Sequence, residues 1–435
     1  MDKLFHLSEN ETNVRTEIVA GITTFMTMAY ILAVNPNILS ASGMDRGAVF
    51  TATALASMLA SFLMAAFANY PFVLAPGMGL NAYFAYTVVL QMGYSWQMAL
   101  AAVFVEGVIF IVLSLTNVRE AIFNAIPLNL KAAVSTGIGL FIAFIGLQNA
   151  GIIVNNDATL VSLGDITHGK ALLALIGLAI TAALVMAKVK GGILIGMLAT
   201  AVLGLVIKDP ATGAAITTLP SAVVSMPHSL APIFCKFEWT QVLSLDMLVV
   251  VFTFLFIDMF DTMGTLIGVC QGTELGEKEN IDGIEKMFLA DSVATVAGAC
   301  FGTSTTTTYV ESASGVGEGG RTGLTAFSIA CCFMVALFFS PIFLAIPGAA
   351  TAPALVIVGV MMMHSIKVIH WEDYCRSIPA FLTIILMPLA YSISDGILIG
   401  VIAYVVTHAI SGKAKDISIT MWILAALFVL RYIFI

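Results

Sequence analysis

The chain has 435 residues, of which 60% are hydrophobic and 10% are charged, with a formal net charge of −8. Soluble domains are about half apolar and a quarter charged, so the composition excludes a soluble globular domain and predicts a polytopic membrane protein. The acidic balance provides no basic face for nucleic acid. The six cysteines show neither CxxC spacing nor His partners, which disfavours a metal site and a disulfide framework.

The apolar stretches predict fourteen membrane spans when the chain is cut at Pro, Gly and charge clusters, with about 20 residues allowed per helix. No signal peptide is expected, because the first apolar stretch lacks a small-residue cleavage site. A further stretch, 417–434, is left over as an extra helix or an interfacial one. The spans lie near 18–35, 48–69, 72–90, 97–116, 129–148, 170–187, 191–207, 245–267, 286–301, 303–320, 322–345, 352–366, 376–391 and 393–411.

The basic residues predict the orientation of these spans. With the N-terminus in the cytoplasm, thirteen Lys and Arg residues fall in inside loops and only four in outside loops. This asymmetry is the one that the positive-inside rule describes. The four outside residues are Arg46, Lys170, Lys208 and Lys236.

Two spans carry similar sequences, GGILIGMLATAV from Gly191 and DGILIGVIAYVV from Asp395. They are seven spans apart and therefore oppositely oriented, although a chance match between two apolar helices stays open. The segments around 72–84 and 302–312 are too rich in Gly, Pro, Thr and Ser for lipid-facing helices, and they occupy the corresponding third and tenth places. Paired interruptions in two halves mark transporter binding sites, so we predict an inverted 7+7 repeat.

Acidic residues inside the predicted spans have no Lys or Arg at comparable depth. A charge at the bilayer centre costs about 2.5–3.5 kcal/mol, so each should face a cavity or a partner. Helical spacing places Asp258, Asp261, Thr262 and Thr265 on one stripe of the eighth span. A stripe that only holds helices together is the alternative. The five acidic residues are Glu106, Asp258, Asp261, Asp291 and Glu311; for Glu106 and Asp291 we favour bonding to helix ends or neighbouring hydroxyls.

The tenth span opens with TSTTTTYV, a run of residues that form strands more readily than helices. We expect it to be extended up to about Glu311, and extended backbone at that depth must be buried in protein or line a cavity. Pro and Gly in YPFVLAPGMGLNAYFAY likewise prevent a regular helix start in the third span. The two extended segments are therefore expected to pair, and the half-helices after them to point their N-termini at a common pocket. In this view the hydroxyls serve a solute.

The expected pocket combines the acceptors Asp258, Asp261 and Glu311 with the mixed donor and acceptor Asn81. Carboxylates suit a neutral, planar molecule rich in N–H groups, at about 1.5–3 kcal/mol per charge-assisted bond. Metal ions would require more oxygen ligands, and an anion would require Arg or Lys. The same carboxylates could carry protons, while Na⁺ remains open. Stacking surfaces are available in Tyr83, Phe84 and Tyr309, and Thr27 and Tyr30 of the first span could border the pocket.

Five motifs in order, TTFMTMAYILAVNP, APGMGLNAYFAY, FLFIDMFDTMGTL, GTSTTTTYVESASGV and TAPALVIVGVMM, resemble the guanine/hypoxanthine permease family. This is the AzgA-like purine branch of the nucleobase:cation symporter-2 superfamily. The resemblance runs from about residue 4 to residue 411. It implies an all-α polytopic membrane protein with fourteen spans in a 7+7 inverted repeat, a core domain, a gate domain, and short strands in spans 3 and 10.

The resemblance also implies a function, proton-coupled import of hypoxanthine, guanine or adenine by movement of the core against the gate, without a cofactor or metal. Relatives form homodimers through the gate. The implied core is 1–116 and 245–347, the implied gate is 117–244 and 348–411, and 412–435 lies outside the repeat. Pyrimidine transporters carry a His where this chain has Thr262, which argues against uracil. The candidate substrate-binding residues are Asp258, Glu311, Asn81, Asp261, Ala82, Tyr309, Ser312, Thr262 and Thr27, with Glu311 and Asp258 also assigned to proton coupling.

Three alternatives come from other functional classes. An anion transporter on the same fold should have a basic or neutral residue in place of Glu311. A channel would need polar stripes on several more helices. A membrane enzyme would need a nucleophile with its base or a metal-ligand cluster, and neither pattern occurs in the sequence.

Overall fold

The computed structural model describes residues 2–115, 126–210, 212–270 and 284–434. Within these ranges, eight helices are long and apolar enough to cross a membrane. The chain is therefore a helical polytopic membrane protein. The eight are Val14–Ser40, Arg46–Ala68, Trp96–Ser114, Leu128–Asn149, Gly169–Met186, Gly323–Leu344, Gly348–Val368 and Ile393–Ile410; shorter apolar helices are Gly192–Leu203, Tyr374–Leu389 and Ile419–Leu430.

The first half contains nine helices and three strands within the described ranges. In chain order they are α1 (Asp2–Phe5), α2 (Val14–Met28), α3 (Ile31–Ser40), α4 (Arg46–Leu63) with a π-helical end (Met64–Ala68), β1 (Leu74–Pro76), α5 (Met78–Ala82) continued as a π-helix (Tyr83–Gln91), α6 (Trp96–Ser114), α7 (Leu128–Asn149), β2 (Ile153–Asn156), β3 (Leu160–Leu163), α8 (Gly169–Met186) and α9 (Gly192–Leu203). Strands β2 and β3 form a surface hairpin between the fifth and sixth predicted spans.

The second half contains nine more helices and one strand among the described residues. In chain order they are α10 (Leu245–Cys270), α11 (Ile284–Phe301), β4 (Thr306–Thr308), α12 (Ser312–Gly317), α13 (Gly323–Ala336), α14 (Ser340–Leu344), α15 (Gly348–Met362), α16 (Tyr374–Leu389), α17 (Ile393–Ile410) and α18 (Ile419–Phe434), with 3₁₀ turns at Leu337–Phe339, Met363–Val368 and Ala414–Asp416.

The helices pack in two groups. Helices α2, α3, α4, α6, α10, α11, α12 and α13 contact one another around the strand pair β1–β4, whereas α7, α8, α9, α15, α16 and α17 contact one another on their own side. Strand β1 comes from the first half of the chain and β4 from the second, and they pair antiparallel with Ala75 opposite Thr307. The first group therefore carries both irregular segments.

Several helix bounds differ from the sequence prediction for identifiable reasons. The first helical segment begins at Val14 rather than near residue 18, because Asn13 caps it by accepting a hydrogen bond from the Thr16 amide at 3.0 Å. The twelfth predicted span begins at Gly348 rather than 352, with Pro353 inside the helix. The predicted boundary between 116 and 117 lies outside the described residues. Five cysteines are free thiols: Cys235, Cys300, Cys331, Cys332 and Cys375.

Candidate substrate site at the strand pair

Hydrogen bonds continue beyond both ends of the strand pair and satisfy backbone amides and carbonyls there. The Gly77 amide donates to the Thr305 carbonyl at 3.0 Å, and the Tyr309 amide donates to the Val73 carbonyl at 3.0 Å. The hydroxyl of Ser312 accepts from the Val73 amide at 3.1 Å. Backbone groups at bilayer depth must be satisfied by protein or water, and these bonds allow two extended segments to lie there. Ser312, a predicted site residue, thus closes one end of the pair.

Asn81 and Tyr309 both bind the carbonyl at the end of β1. The Asn81 side-chain amide donates to the Pro76 carbonyl at 3.3 Å, and the Tyr309 hydroxyl donates to the same carbonyl at 2.5 Å. The hydroxyl of Ser304 donates to the Asn81 side-chain oxygen. Asn81 and its neighbour Ala82 are buried in α5. Both irregular segments therefore determine the position of Asn81.

Glu311 lies directly before α12 and is partly exposed. Its Oε1 accepts a 2.5 Å hydrogen bond from the Tyr30 hydroxyl of the first span. Thr27, three residues earlier, instead donates its hydroxyl to the Thr24 carbonyl of its own helix at 2.8 Å. The structure therefore brings Tyr30 to the site and leaves the Thr27 hydroxyl bonded to its own helix.

The polar residues of the predicted stripe on the eighth span lie in two different environments. Asp258 and Thr262 are buried, and the Thr262 hydroxyl lies 3.3 Å from Asp258 Oδ1. Asp261 is partly exposed. Its Oδ2 would lie 3.9 Å from a Cβ added at Gly79, next to the turn that follows β1. Asp261 thus lies near α5, whereas Asp258 is linked through Thr262 to Thr307 of β4.

The hydroxyls of the tenth predicted span bind mainly to protein, so our expectation that they serve a solute is wrong for most of them. The Thr305 hydroxyl donates to Glu106 Oε2 at 3.0 Å, and Thr303 Oγ1 accepts from the Asn35 amide at 3.0 Å. Thr307 Oγ1 lies 2.9 Å from Thr262 Oγ1. The buried acids of neighbouring helices need donors, and these hydroxyls supply them. The expectation that Glu106 and Asp291 bond to neighbouring hydroxyls is confirmed, since Thr262 donates to Asp291 Oδ2 at 2.9 Å.

One buried acid escaped the sequence analysis. Glu17 is fully buried, and its carboxylate accepts hydrogen bonds from the backbone amides of Arg321, Thr322 and Thr325. The signal that could have identified it is its place in the first turn of α2, after the cap Asn13. Among the side chains that the structure describes, the buried charged ones are all acidic, with no Lys or Arg: Glu17, Glu106, Asp258 and Asp291.

Two interrupted membrane segments from the two halves of a chain, meeting beside buried carboxylates, define the architecture of a secondary transporter. The chain matches the Permease family model (Xan_ur_permease) over residues 15–399. It therefore belongs to this family, within the nucleobase:cation symporters that its motifs resemble, and it is a permease rather than an enzyme.

Relatives with assigned transport functions are similar to this chain over its whole length. The guanine/hypoxanthine permease PbuG of Bacillus subtilis (strain 168) is 46% identical over 447 residues, covering 100% of this chain and 100% of that protein. The adenine permease AdeP of Escherichia coli (strain K12) is 40% identical over 436 residues, covering 100% and 96%. These matches confirm the family resemblance inferred from the five motifs.

Solved structures share the fold at low sequence identity. The transmembrane domain of the cyanobacterium bicarbonate transporter BicA superposes with a TM-score of 0.67 at 16% identity, covering 89% of this chain and 97% of that one. SLC26A9 superposes with a TM-score of 0.62 at 12% identity, covering 92% and 66%. At these identities the likeness concerns the fold alone.

Proposed function

We propose that this permease imports purine nucleobases, hypoxanthine or guanine with adenine as a further substrate, together with protons. The observation that carries the proposal is the placement of three polar residues beside the strand pair: Asn81 binds the Pro76 carbonyl of β1, Glu311 follows β4, and Asp261 lies near Gly79 of α5. Relatives of the same length bear guanine/hypoxanthine and adenine permease names. In our proposal the base binds beside this strand pair, where Ala82 and Tyr309 also lie.

In the proposed site, hydrogen-bond acceptors of the protein recognise the N–H groups of the base. A purine presents several N–H groups along its edge, and a carboxylate that accepts one of them forms a bond worth about 1.5–3 kcal/mol. Glu311 is suited to this because one of its oxygens is oriented by Tyr30 and the residue remains partly exposed. Asn81 can donate and accept, which matches a ring edge that carries both carbonyl and N–H groups.

An anion transporter on the same fold is the alternative, because SLC26A9 and BicA superpose on this chain. An anion requires positive charge or many donors at its site. The buried charged side chains among the described residues are acidic without exception. We therefore favour the neutral base over the anion.

Protons are the proposed coupling ion. The carboxylate of Glu311 accepts a hydrogen bond from the Tyr30 hydroxyl, and Oδ1 of Asp258 lies 3.3 Å from the Thr262 hydroxyl. A hydroxyl does not neutralise a carboxylate, whereas a bound proton does. Desolvated carboxylates that alternate between the two forms would carry protons with the base. Na⁺ is the less favoured ion.

For the architecture we propose fourteen spans in an inverted 7+7 repeat, with the core at 1–116 and 245–347 and the gate at 117–244 and 348–411. The two helix packing groups support this division. We further propose a cell-membrane location with a cytoplasmic N-terminus, a homodimer through the gate, and movement of the core against the gate.

Uptake of radiolabelled purines into cells that lack their own purine carriers tests the function. We expect saturable hypoxanthine or guanine uptake that a protonophore abolishes. The substitutions Glu311→Gln and Asp258→Asn should abolish it as well, while the exposed Glu372→Gln control should transport normally. Unchanged uptake and purine affinity in both site variants would show that the site is assigned to the wrong residues.

A further inference from the structure

Thr262 connects two buried carboxylates on different helices. Its Oγ1 lies 3.3 Å from Oδ1 of Asp258 on α10 and 2.9 Å from Oδ2 of Asp291 on α11. The hydroxyl of Thr307 on β4 lies 2.9 Å from the same oxygen. All four residues are buried, with Asp258 and Asp291 fully so. One hydroxyl thus sits within reach of three polar neighbours.

The number of hydrogen atoms in this cluster limits which hydrogen bonds can exist at the same time. A threonine hydroxyl carries one hydrogen and two lone pairs. If both carboxylates are ionised, Thr262 can donate to only one of them, and the other contact joins two oxygens without a hydrogen. A single added proton resolves this, because a protonated Asp258 can donate to Thr262 while Thr262 donates to Asp291. Thr307 then donates into the remaining lone pair of Thr262.

We propose that Asp291 is a second proton-binding carboxylate, which exchanges one proton with Asp258 through the hydroxyl of Thr262. This inference rests on the proposed proton-coupled transport and extends it to a residue of the ninth predicted span. It assigns Thr262 to proton transfer, in addition to whatever contact it makes with the base.

The exchange balances in atoms and charge. The O–H bond of Asp258 breaks as its proton moves to Thr262 Oγ1, while the Thr262 hydrogen moves to Asp291 Oδ2. Thr262 ends as a neutral hydroxyl, and the negative charge has moved from Asp291 to Asp258. An ionised Asp258 is a stronger acceptor for an N–H group than a protonated one. Movement of the proton to Asp291 therefore prepares Asp258 to hold the base.

The elements packed on α11 contribute other titratable groups. Helix α6 presents Glu106, which is occupied by the Thr305 hydroxyl at 3.0 Å. Helix α10 presents Asp261 beside Asp258. Helix α4 contributes Arg46 at its first residue, where the guanidinium donates to the Ile346 carbonyl at 2.9 Å. Glu285 and Lys286 lie on the exposed first turn of α11 itself. Asp258 is the acid that Thr262 joins to Asp291.

Transport assays with the purified full chain in lipid vesicles distinguish proton coupling from binding of the base. A proton gradient of one pH unit is worth about 1.4 kcal/mol per proton, so wild-type protein should accumulate hypoxanthine about tenfold for each coupled proton. In Asp291→Asn vesicles, we expect accumulation to fall to the equilibrium level while hypoxanthine counterflow, which needs no net proton movement, continues. Thr262→Val removes the connecting hydroxyl and should also abolish accumulation. Thr262→Ser keeps the hydroxyl and should keep accumulation.

The outcomes distinguish the two proposals. Wild-type protein that fails to accumulate hypoxanthine under the gradient would contradict the proposed function itself. Accumulation at the wild-type level in both Asp291→Asn and Thr262→Val would overturn the proton exchange alone. Joint loss of counterflow and accumulation in folded Asp291→Asn protein would also overturn it, because this pattern indicates a packing role. If Asp291→Asn does not fold, the comparison of Thr262→Val with Thr262→Ser decides.

Discussion

Replacement of Glu17 by Ala should destabilise the protein more than any exposed substitution. Oε1 of Glu17 accepts from the Arg321 amide at 2.8 Å. Oε2 accepts from the Thr325 hydroxyl at 2.6 Å and from the amides of Thr325 at 3.2 Å and Thr322 at 3.3 Å. These donors surround the N-terminus of α13, where the helix dipole also favours an anion. One side chain of α2 thus caps a helix about 300 residues later in the chain.

The size of the destabilisation depends on the donors that Glu17→Ala leaves without an acceptor. Each charge-assisted bond is worth about 1.5–3 kcal/mol, but the values do not add, because water and small shifts recover part of the loss. A buried donor that loses its acceptor costs about 1–3 kcal/mol where water cannot reach it. We expect a loss in that range for Glu17→Ala. Glu17→Gln retains one acceptor oxygen and places an amide donor against other donors, so its loss should be smaller.

Thermal unfolding of the purified protein in detergent measures this order. The melting temperature should fall most for Glu17→Ala, less for Glu17→Gln, and not measurably for the matched Glu372→Gln control on the exposed surface. Equal melting temperatures for Glu17→Ala and the control would refute the reasoning, since they would mean that water replaces all four bonds without cost.

Three further predictions concern contacts at the site and between the helix groups. A Cβ at Gly79 would lie 2.7 Å from Ile138 Cγ2, so Gly79→Ala should cost about 1–3 kcal/mol through overpacking. Adding Ile138→Leu, which lacks Cγ2, should restore both melting temperature and uptake; no rescue would contradict the contact. Lys190→Gln removes a 2.7 Å ion pair with Glu318 and should cost less than about 1 kcal/mol. That cost should vanish at high salt, and a large salt-independent loss would count against a surface pair. Initial rates of hypoxanthine uptake should rise as the outside medium becomes more acidic, because the proton enters with the base; the opposite trend would exclude symport.

The irregular segments could be predicted because their residue types oppose helix formation. Pro and Gly in the third predicted span and the Thr run in the tenth imply extended backbone, and β1 pairs with β4 as expected. The positions of the long helices follow from apolar length. The π-helix Tyr83–Gln91 could not be predicted, because its residues YFAYTVVLQ carry no signal that separates it from an α-helix.

The sequence could not predict which side chains contact one another at the site. Helical spacing grouped Asp258 with Asp261, but it could not show that one faces Asp291 and the other approaches Gly79. That division depends on which neighbouring helix packs on each side of α10. The role of Glu17 was hidden for a similar reason, since its donors lie about 300 residues away.

The four buried acids and the partly exposed Glu311 share a property that bears on how the protein could move. Each bonds to a neighbour within the proposed core: Glu17 to Thr325, Glu106 to Thr305, Asp258 and Asp291 to Thr262, and Glu311 to Tyr30. Polar contacts to the proposed gate lie near helix ends, such as the Asn149 amide that donates to the Tyr86 hydroxyl at 3.2 Å and the Thr87 hydroxyl that donates to the Tyr391 carbonyl at 3.4 Å.

This distribution makes rigid movement of the proposed core inexpensive relative to rearrangement within it. Exposed ion pairs contribute about 0–1 kcal/mol, so the Lys190–Glu318 contact can break and reform at little cost. Loss of a bond to a buried carboxylate costs several times more. A carrier that keeps every buried acid bonded inside one moving body can therefore carry its charged site across the membrane without exposing an unsatisfied carboxylate to lipid.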